Sequence, residues 1–112
     1  MERQDAKRND VEIEVLIISD RDTCPGIIRN LSAQGLFVET EAMNILSADT
    51  RLAKGSICEL KFNLNNEALV LRCEVKWSFK AEPDGLVKKI GMKILFPPAG
   101  YTRYFRQFDI TD

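Results

Sequence analysis

Apolar side chains at Val11, Ile13, Val15 and Ile17 alternate with Glu12 and Glu14. A period of two puts successive side chains on opposite faces of a pleated chain, so this run predicts a strand with one wet face. Ile27 to Leu31 is a second apolar run, entered through the turn-forming Cys24-Pro25-Gly26, and Leu36-Phe37-Val38-Glu39-Thr40 is a third that follows Gly35. These two are expected to pair as a hairpin. Alternation returns at Cys58, Leu60, Phe62 and Leu64, breaks at Asn65-Asn66, and resumes at Leu69, Leu71, Cys73, Val75, Trp77 and Phe79, which predicts a second hairpin. Ile90, Met92, Ile94 and Phe96 give a sixth strand after the breaker Pro83-Asp84-Gly85. Six short antiparallel strands predict a mainly all-β domain closed into a small barrel.

After Pro97-Pro98 the period changes. Tyr101, Tyr104, Phe105 and Phe108 share one helical stripe, with Arg103, Arg106 and Gln107 between them, so a short amphipathic helix over residues 98–110 is expected to pack its rings on the barrel mouth. The segment "EAMNILSADTRLAK" has no clear period; Met43, Ile45, Leu46 and Leu52 are expected to lay it against the barrel, or to make it a flap for a partner. Ahead of the first strand stands a polar arm, "MERQDAKRND". The expected organisation is a flexible basic arm over residues 1–10 and a single domain over residues 11–112.

Composition narrows the functional classes. The 112 residues are 45% hydrophobic and 29% charged, enough for one core, and 16 basic side chains against 17 acidic ones exclude a protein whose whole surface grips nucleic acid or an anionic membrane. Any anion site must be local. No DNA or RNA partner is expected, and no membrane insertion, because no run approaches the ~20 apolar residues that span a bilayer. Three cysteines without a histidine make no metal-ligand set, and they suit a reduced, cytoplasmic protein. Of the three, Cys24 beside its turn is the one expected to be exposed enough to react. A serine or cysteine nucleophile would lack its commonest activating base, and no HExxH, paired CxxC or GxxxxGK[ST] pattern occurs. Glu12 and Glu14 read as solvated charge on a strand face. No catalytic residue, metal ligand or cofactor is nominated, and the chain is not expected to be an enzyme.

What remains is the stretch "RNLSAQGLFVET", where Asn30, Ser32 and Gly35 interrupt two strand runs. Asn and Ser commonly stabilise turns by bonding to their own backbone, and Gly commonly ends them. The same groups can also furnish half of a pocket. Their spacing resembles the (Asp/Asn)-x-Ser-x-x-Gly element of PilZ domains, bacterial receptors for cyclic di-GMP, and the resemblance extends through Leu36-Phe37-Val38, "EVKW", "IGMKILF" and the closing helix. It implies a six-stranded PilZ-type barrel whose N-terminal Arg-x-x-x-Arg arm folds over the bound dinucleotide. Asn30 and Ser32 are then expected to meet base or ribose edges, while Gly35 takes the positive φ of a tight corner or lets a flat base approach the main chain.

The arm departs from the family pattern. Registered on the first strand, the second arginine falls on Arg8, but Gln4 stands where the first should be, with Arg3 beside it and Lys7 beside Arg8. Arg8 is expected as the principal arm contact, with Arg3 and Lys7 as auxiliary phosphate contacts; lysine neutralises a phosphate but cannot present arginine's two parallel donors. The resemblance implies a non-enzymatic receptor that orders its arm on binding and signals to an unidentified protein effector in motility, pilus or exopolysaccharide control. Two alternatives are an adaptor of the same fold that binds no nucleotide and a small barrel for single-stranded nucleic acid. The apparent use of Trp77 and the helix rings in packing disfavours the last.

Overall fold

The computed structural model describes residues 9–19, 22–41, 52–81 and 87–111. Within them β1 (Asn9–Ser19), β2 (Asp22–Leu31), β3 (Gly35–Glu41), β4 (Ile57–Leu64), β5 (Glu67–Ala81) and β6 (Val87–Leu95) precede one helix, α1 (Ala99–Thr111). The strands close antiparallel in the order β1-β2-β3-β6-β5-β4, the expected barrel. Its interior is filled by the inward half of each alternation, including Val15, Ile17, Ile28, Leu31, Val38, Leu60, Leu71, Val75 and Ile90. Asn65 and Asn66 both take left-handed φ, 57° and 69°, between the paired Leu64 and Glu67. That conformation suits a two-residue hairpin loop whose twist matches its strands.

Three bulges break the alternation, and they decide which side chains face outward. On β2, Ile28 pairs with Val38 but Asn30 pairs with Phe37, so Arg29 is an extra residue against β3, and the β1–β2 register shifts over the same stretch. A bulge of this kind re-aims the side chains beyond it. Ile28 and Leu31 are therefore both interior at a spacing of three, and Arg29 and Asn30 are left half-exposed. On β5 the register shifts between Val75 and Trp77, so Lys76 is the extra residue. Alternation alone put Trp77 and Phe79 on the same face as Val75. The bulge turns them out, and they are 43% and 53% exposed. Trp77 thus does not pack in the core, and the expectation that it does is corrected.

Other expectations also change. Cys24-Pro25-Gly26 is no turn but lies within β2, with Cys24, Pro25 and Gly26 opposite Ile17, Leu16 and Val15. Gly26 sits where a Cβ would come within 3.0 Å of the Glu39 carbonyl oxygen, so close strand packing, and not chain reversal, uses the glycine. Cys24 is accordingly buried, 5% exposed, with its Sγ 3.7 Å from the Thr40 hydroxyl; burial raises its pKa, against a smaller lowering by that hydrogen bond, so it is not the reactive thiol expected. Phe96 does not extend β6. It takes a φ of 51° at the corner into α1 and is 90% exposed, because the chain turns away from the sheet there.

The helix lies close to where it was expected. Tyr101 and Phe105 are buried against the barrel and Tyr104 packs half-buried beside them, with ring centroids 4.9 Å and 5.0 Å from Phe105. Arg103 Nη1 reaches Glu67 Oε1 at 3.3 Å, tying the exposed side of α1 to β5. Leu52 is interior; Met43, Ile45, Leu46, Pro83-Asp84-Gly85 and the Phe108 side chain lie outside the described residues.

Candidate functional site

The corner between β2 and β3 is built from its own polar groups. The Ser32 N–H donates to the Gly35 carbonyl at 2.8 Å, the Gly35 N–H donates to Ser32 Oγ at 3.1 Å, and the Ser32 hydroxyl donates to the Gly35 carbonyl at 3.1 Å. Ser32 is therefore first of all a turn residue. A hydroxyl offers one donor and two acceptor lone pairs. Its proton and one lone pair are engaged here, which leaves one acceptor for a ligand's N–H.

Two contacts fix this corner from outside. The Ile94 N–H donates to the Gln34 carbonyl at 2.9 Å, and the buried Tyr101 hydroxyl donates to the Ser32 carbonyl at 2.6 Å. Sequence reasoning marked Tyr101 as a packing ring and missed this bond, since no local pattern links residues 69 positions apart. Helix α1 is thereby latched to the loop that carries Ser32.

Gly35 has no left-handed φ; among the described residues Gly55, at 94°, is the glycine that does. The requirement is proximity. A Cβ at position 35 would stand 2.9 Å from the Met92 carbonyl oxygen on the paired strand β6. Gly35→Ala is expected to push β3 from β6 and cost about 1–3 kcal/mol of stability, as overpacking does. Urea unfolding reads this directly, and an unchanged midpoint would mean that the backbones separate freely.

Asn30, half-exposed, points outward on the strand before the corner and stands opposite Asp10 on one side and Phe37 on the other. Asn9 pairs with Leu31, so β1 begins level with the corner. The structure thus brings Asn30, Ser32 and Gly35 together at the end of the barrel where β1 starts. Arg3, Lys7 and Arg8 lie outside the described residues.

Outward charges near the corner are largely matched. Arg29 lies 3.9 Å from both Glu12 and Glu39, and Lys89 Nζ lies 3.7 Å from Glu39. Exposed pairs of this kind contribute about 0–1 kcal/mol each. Their consequence is electrostatic, since two cations offset the carboxylate of Glu39 nearest Asn30's strand. A groove of ≈ 840 Å³ bordered by Glu14, Leu16, Pro25, Glu39, Lys61 and Val87 does not include Asn30, Ser32 or Gly35. Among the described residues the corner is an open shelf. No group of metal-ligating side chains occurs among them, and no helix is long and apolar enough to cross a membrane.

A family model described as PilZ domain matches residues 2–108. No curated protein matches the chain. Among solved structures, the Bacillus subtilis inhibitor of motility MotI/DgrA has a TM-score of 0.72 at 19% identity, over 99% of this chain and 51% of that one. MrkH of K. pneumonia in its apo state scores 0.70 at 13% identity, over 99% and 51%. The Borreliella burgdorferi PlzA protein in complex with c-di-GMP scores 0.61 at 9% identity, over 88% and 44%. The chain spans about half the length of each of these, and at such identities the likeness is one of fold.

Proposed function

The chain belongs to the PilZ domain family, a family of cyclic di-GMP receptors, and from that premise we propose that it binds cyclic di-GMP between its N-terminal arm and the β2–β3 corner. The observation that carries this reading is the pairing of Asn9 with Leu31. Arg8 is one peptide bond from Asn9, so its Cα is about 3.8 Å away, and six residues back to Arg3 extend at most about 20 Å. Chain connectivity alone allows the arm's cations to reach Asn30 and Ser32. The ligand carries two phosphodiester charges and two guanines. Arg8's planar fork suits a phosphate or the O6/N7 edge of a guanine, and Arg3 and Lys7 supply further positive charge. The remaining lone pair of Ser32 accepts from a base or ribose donor, and the Asn30 amide offers both a donor and an acceptor.

The open shelf gains its second wall from the arm. Signalling follows as a population shift: the ligand favours the ordered arm by its differential affinity for that state, and the altered surface engages a protein effector. The PlzA complex supports the choice of ligand. Catalysis plays no part, and the partner in motility, pilus or exopolysaccharide control is a second protein.

Titration calorimetry with cyclic di-GMP tests the reading. Binding in the micromolar range or tighter is expected, with Arg8→Ala weakening it about ten- to a hundredfold, since a hydrogen bond to a charged group contributes about 1.5–3 kcal/mol and each decade is about 1.4 kcal/mol. Gln4 in place of the family's first arginine favours a second reading, an adaptor that has lost the nucleotide. Absence of heat with the wild-type chain selects it.

A further inference from the structure

Away from the corner, the outward side chains of β1, β2 and β3 form a grid. Glu14 pairs with Ile27 and Ile27 with Glu39, so one rung carries a carboxylate at each end and an apolar side chain in the middle. Two residues further along the same faces stand Leu16 and Pro25, which pair with each other, and Glu41 on β3. Alternate residues of a strand share a face, so Ile27 and Pro25 make an apolar column along β2 with acids on both banks. Leu16 is 43% exposed, and Glu14, Pro25 and Glu41 are exposed as well. All six residues border the groove of ≈ 840 Å³. Against these three carboxylates, Lys61 is the single cation among the described residues of the border. Glu39 is matched by Arg29 and Lys89, but among the described residues no cation stands within salt-bridge distance of Glu14 or Glu41.

We propose that this groove is the docking face for the protein effector, and that the segment it takes is a basic amphipathic helix lying along β2. The inference rests on the signalling half of the proposed function, and it holds for a receptor and for an adaptor alike. Glu14 and Glu39 are two strands apart, about 10 Å, which is the width of a helix with its side chains. A helix seated between them sets its apolar stripe on Ile27, Pro25 and Leu16. Lys or Arg side chains at the edges of that stripe then snorkel down to the unmatched carboxylates of Glu14 and Glu41. An acidic or neutral segment would cover the same two carboxylates and leave them unpaired. Charge thus selects the partner, while the apolar column supplies the contact area. The same carboxylates repel the phosphates of a nucleotide, so this face is distinct from the corner.

A synthetic helix of about 18 residues, with Leu along one stripe and Lys elsewhere, serves as the probe. Its binding to the full chain is followed by the anisotropy of a dye on the peptide. Saturable binding that weakens as salt rises is expected. Glu14→Gln combined with Glu41→Gln is expected to weaken it about three- to tenfold, and Leu16→Ser about threefold or more. Glu59→Gln combined with Glu74→Gln removes the same charge from the β4–β5 wall and is expected to leave the affinity unchanged. All of these side chains are at least partly exposed, so unchanged melting curves certify the folds. Equal weakening by the two pairs of substitutions, equal binding of the matching Leu/Glu helix, or no binding at all overturns the groove. If the chain alone sediments as a dimer that Leu16→Ser dissolves, the face belongs to a second copy and the effector assignment is overturned. Cyclic di-GMP calorimetry on the Glu14→Gln, Glu41→Gln chain is expected to match wild type. A loss of nucleotide affinity there overturns the separation of the two sites, so the groove and the nucleotide reading fail independently.

Discussion

Tyr101→Ala is expected to cost about 3–5 kcal/mol of unfolding free energy, as truncation of a large buried ring does. Tyr101→Phe is expected to cost about 0.5–1.5 kcal/mol, the net contribution of one hydrogen bond to a partly buried carbonyl. The two substitutions separate packing from the latch. Tyr101 is fully buried, stacks edge-on against Phe105, and sends its hydroxyl to the Ser32 carbonyl. Alanine removes all of this, whereas phenylalanine keeps the ring and deletes one bond. In a domain of this size each kcal/mol moves the melting temperature by about 4–8 °C, so both losses are readable by thermal melting and by urea. A phenylalanine variant as stable as wild type would mean that water replaces the hydroxyl at Ser32, and the latch would then have no energetic content. Through the same bond α1 holds the loop that bears Ser32, so Tyr101→Phe is also expected to weaken any ligand contact that needs the corner fixed.

The barrel was legible because alternation survives over most of each strand. β4 and the first half of β5 read cleanly, and Asn65-Asn66 announced its own turn chemistry. The helix was legible for the same reason at another period: Tyr101 and Phe105 are four apart and both buried. What the pattern could not show is a one-residue insertion. A bulge at Lys76 leaves the sequence looking like one long alternation while exchanging inside for outside beyond it. Alternation set Trp77 and Phe79 on the face of Val75, and both point outward on that account. Cys24-Pro25-Gly26 failed differently: its local chemistry favours a turn, but pairing with β1 on one side and the approach of Glu39 on the other overrule it.

The site divides along the same line. Asn30, Ser32 and Gly35 were nominated by their spacing, and the structure gathers them at one corner. The reason given for Gly35 was incomplete, because the demand comes from Met92, 57 positions after Gly35 and beyond the reach of any local rule. Contacts of that kind have no sequence period. The Tyr101 bond to Ser32 belongs to the same class, and closure of the barrel alone brings its two partners together.

Alkaline pH is expected to unfold the domain steeply. Burial raises the Cys58 thiol to about 12, helped by the nearby Cys24 and Glu59, and raises Cys73 further still, with Cys58 adding to the effect. The two face each other across β4 and β5, and the Cys58 sulfur packs 3.8 Å from that of Met92. All three cysteines are free thiols. For such acids the folded state holds the proton after the unfolded chain has released it. The contribution is therefore fully present below about pH 9 and is lost as pH rises toward the folded value. Each group removes about 1.4 kcal/mol per pH unit in that window, so Cys58 and Cys73 together remove about 3 kcal/mol per unit. Tyr101, raised mainly by burial and then by Cys73 and Tyr104, adds its share above about pH 10. Against a typical total of about 5–15 kcal/mol, two units suffice to unfold a marginal domain. The test is urea unfolding at intervals from pH 8 to pH 11, on the wild-type chain and on Cys73→Val, which keeps an apolar side chain in the core and removes one proton. The variant's stability is expected to fall about 1.4 kcal/mol less per pH unit. Parallel slopes for the two proteins would show that the Cys73 thiol ionises equally in both states, and that water reaches the barrel interior.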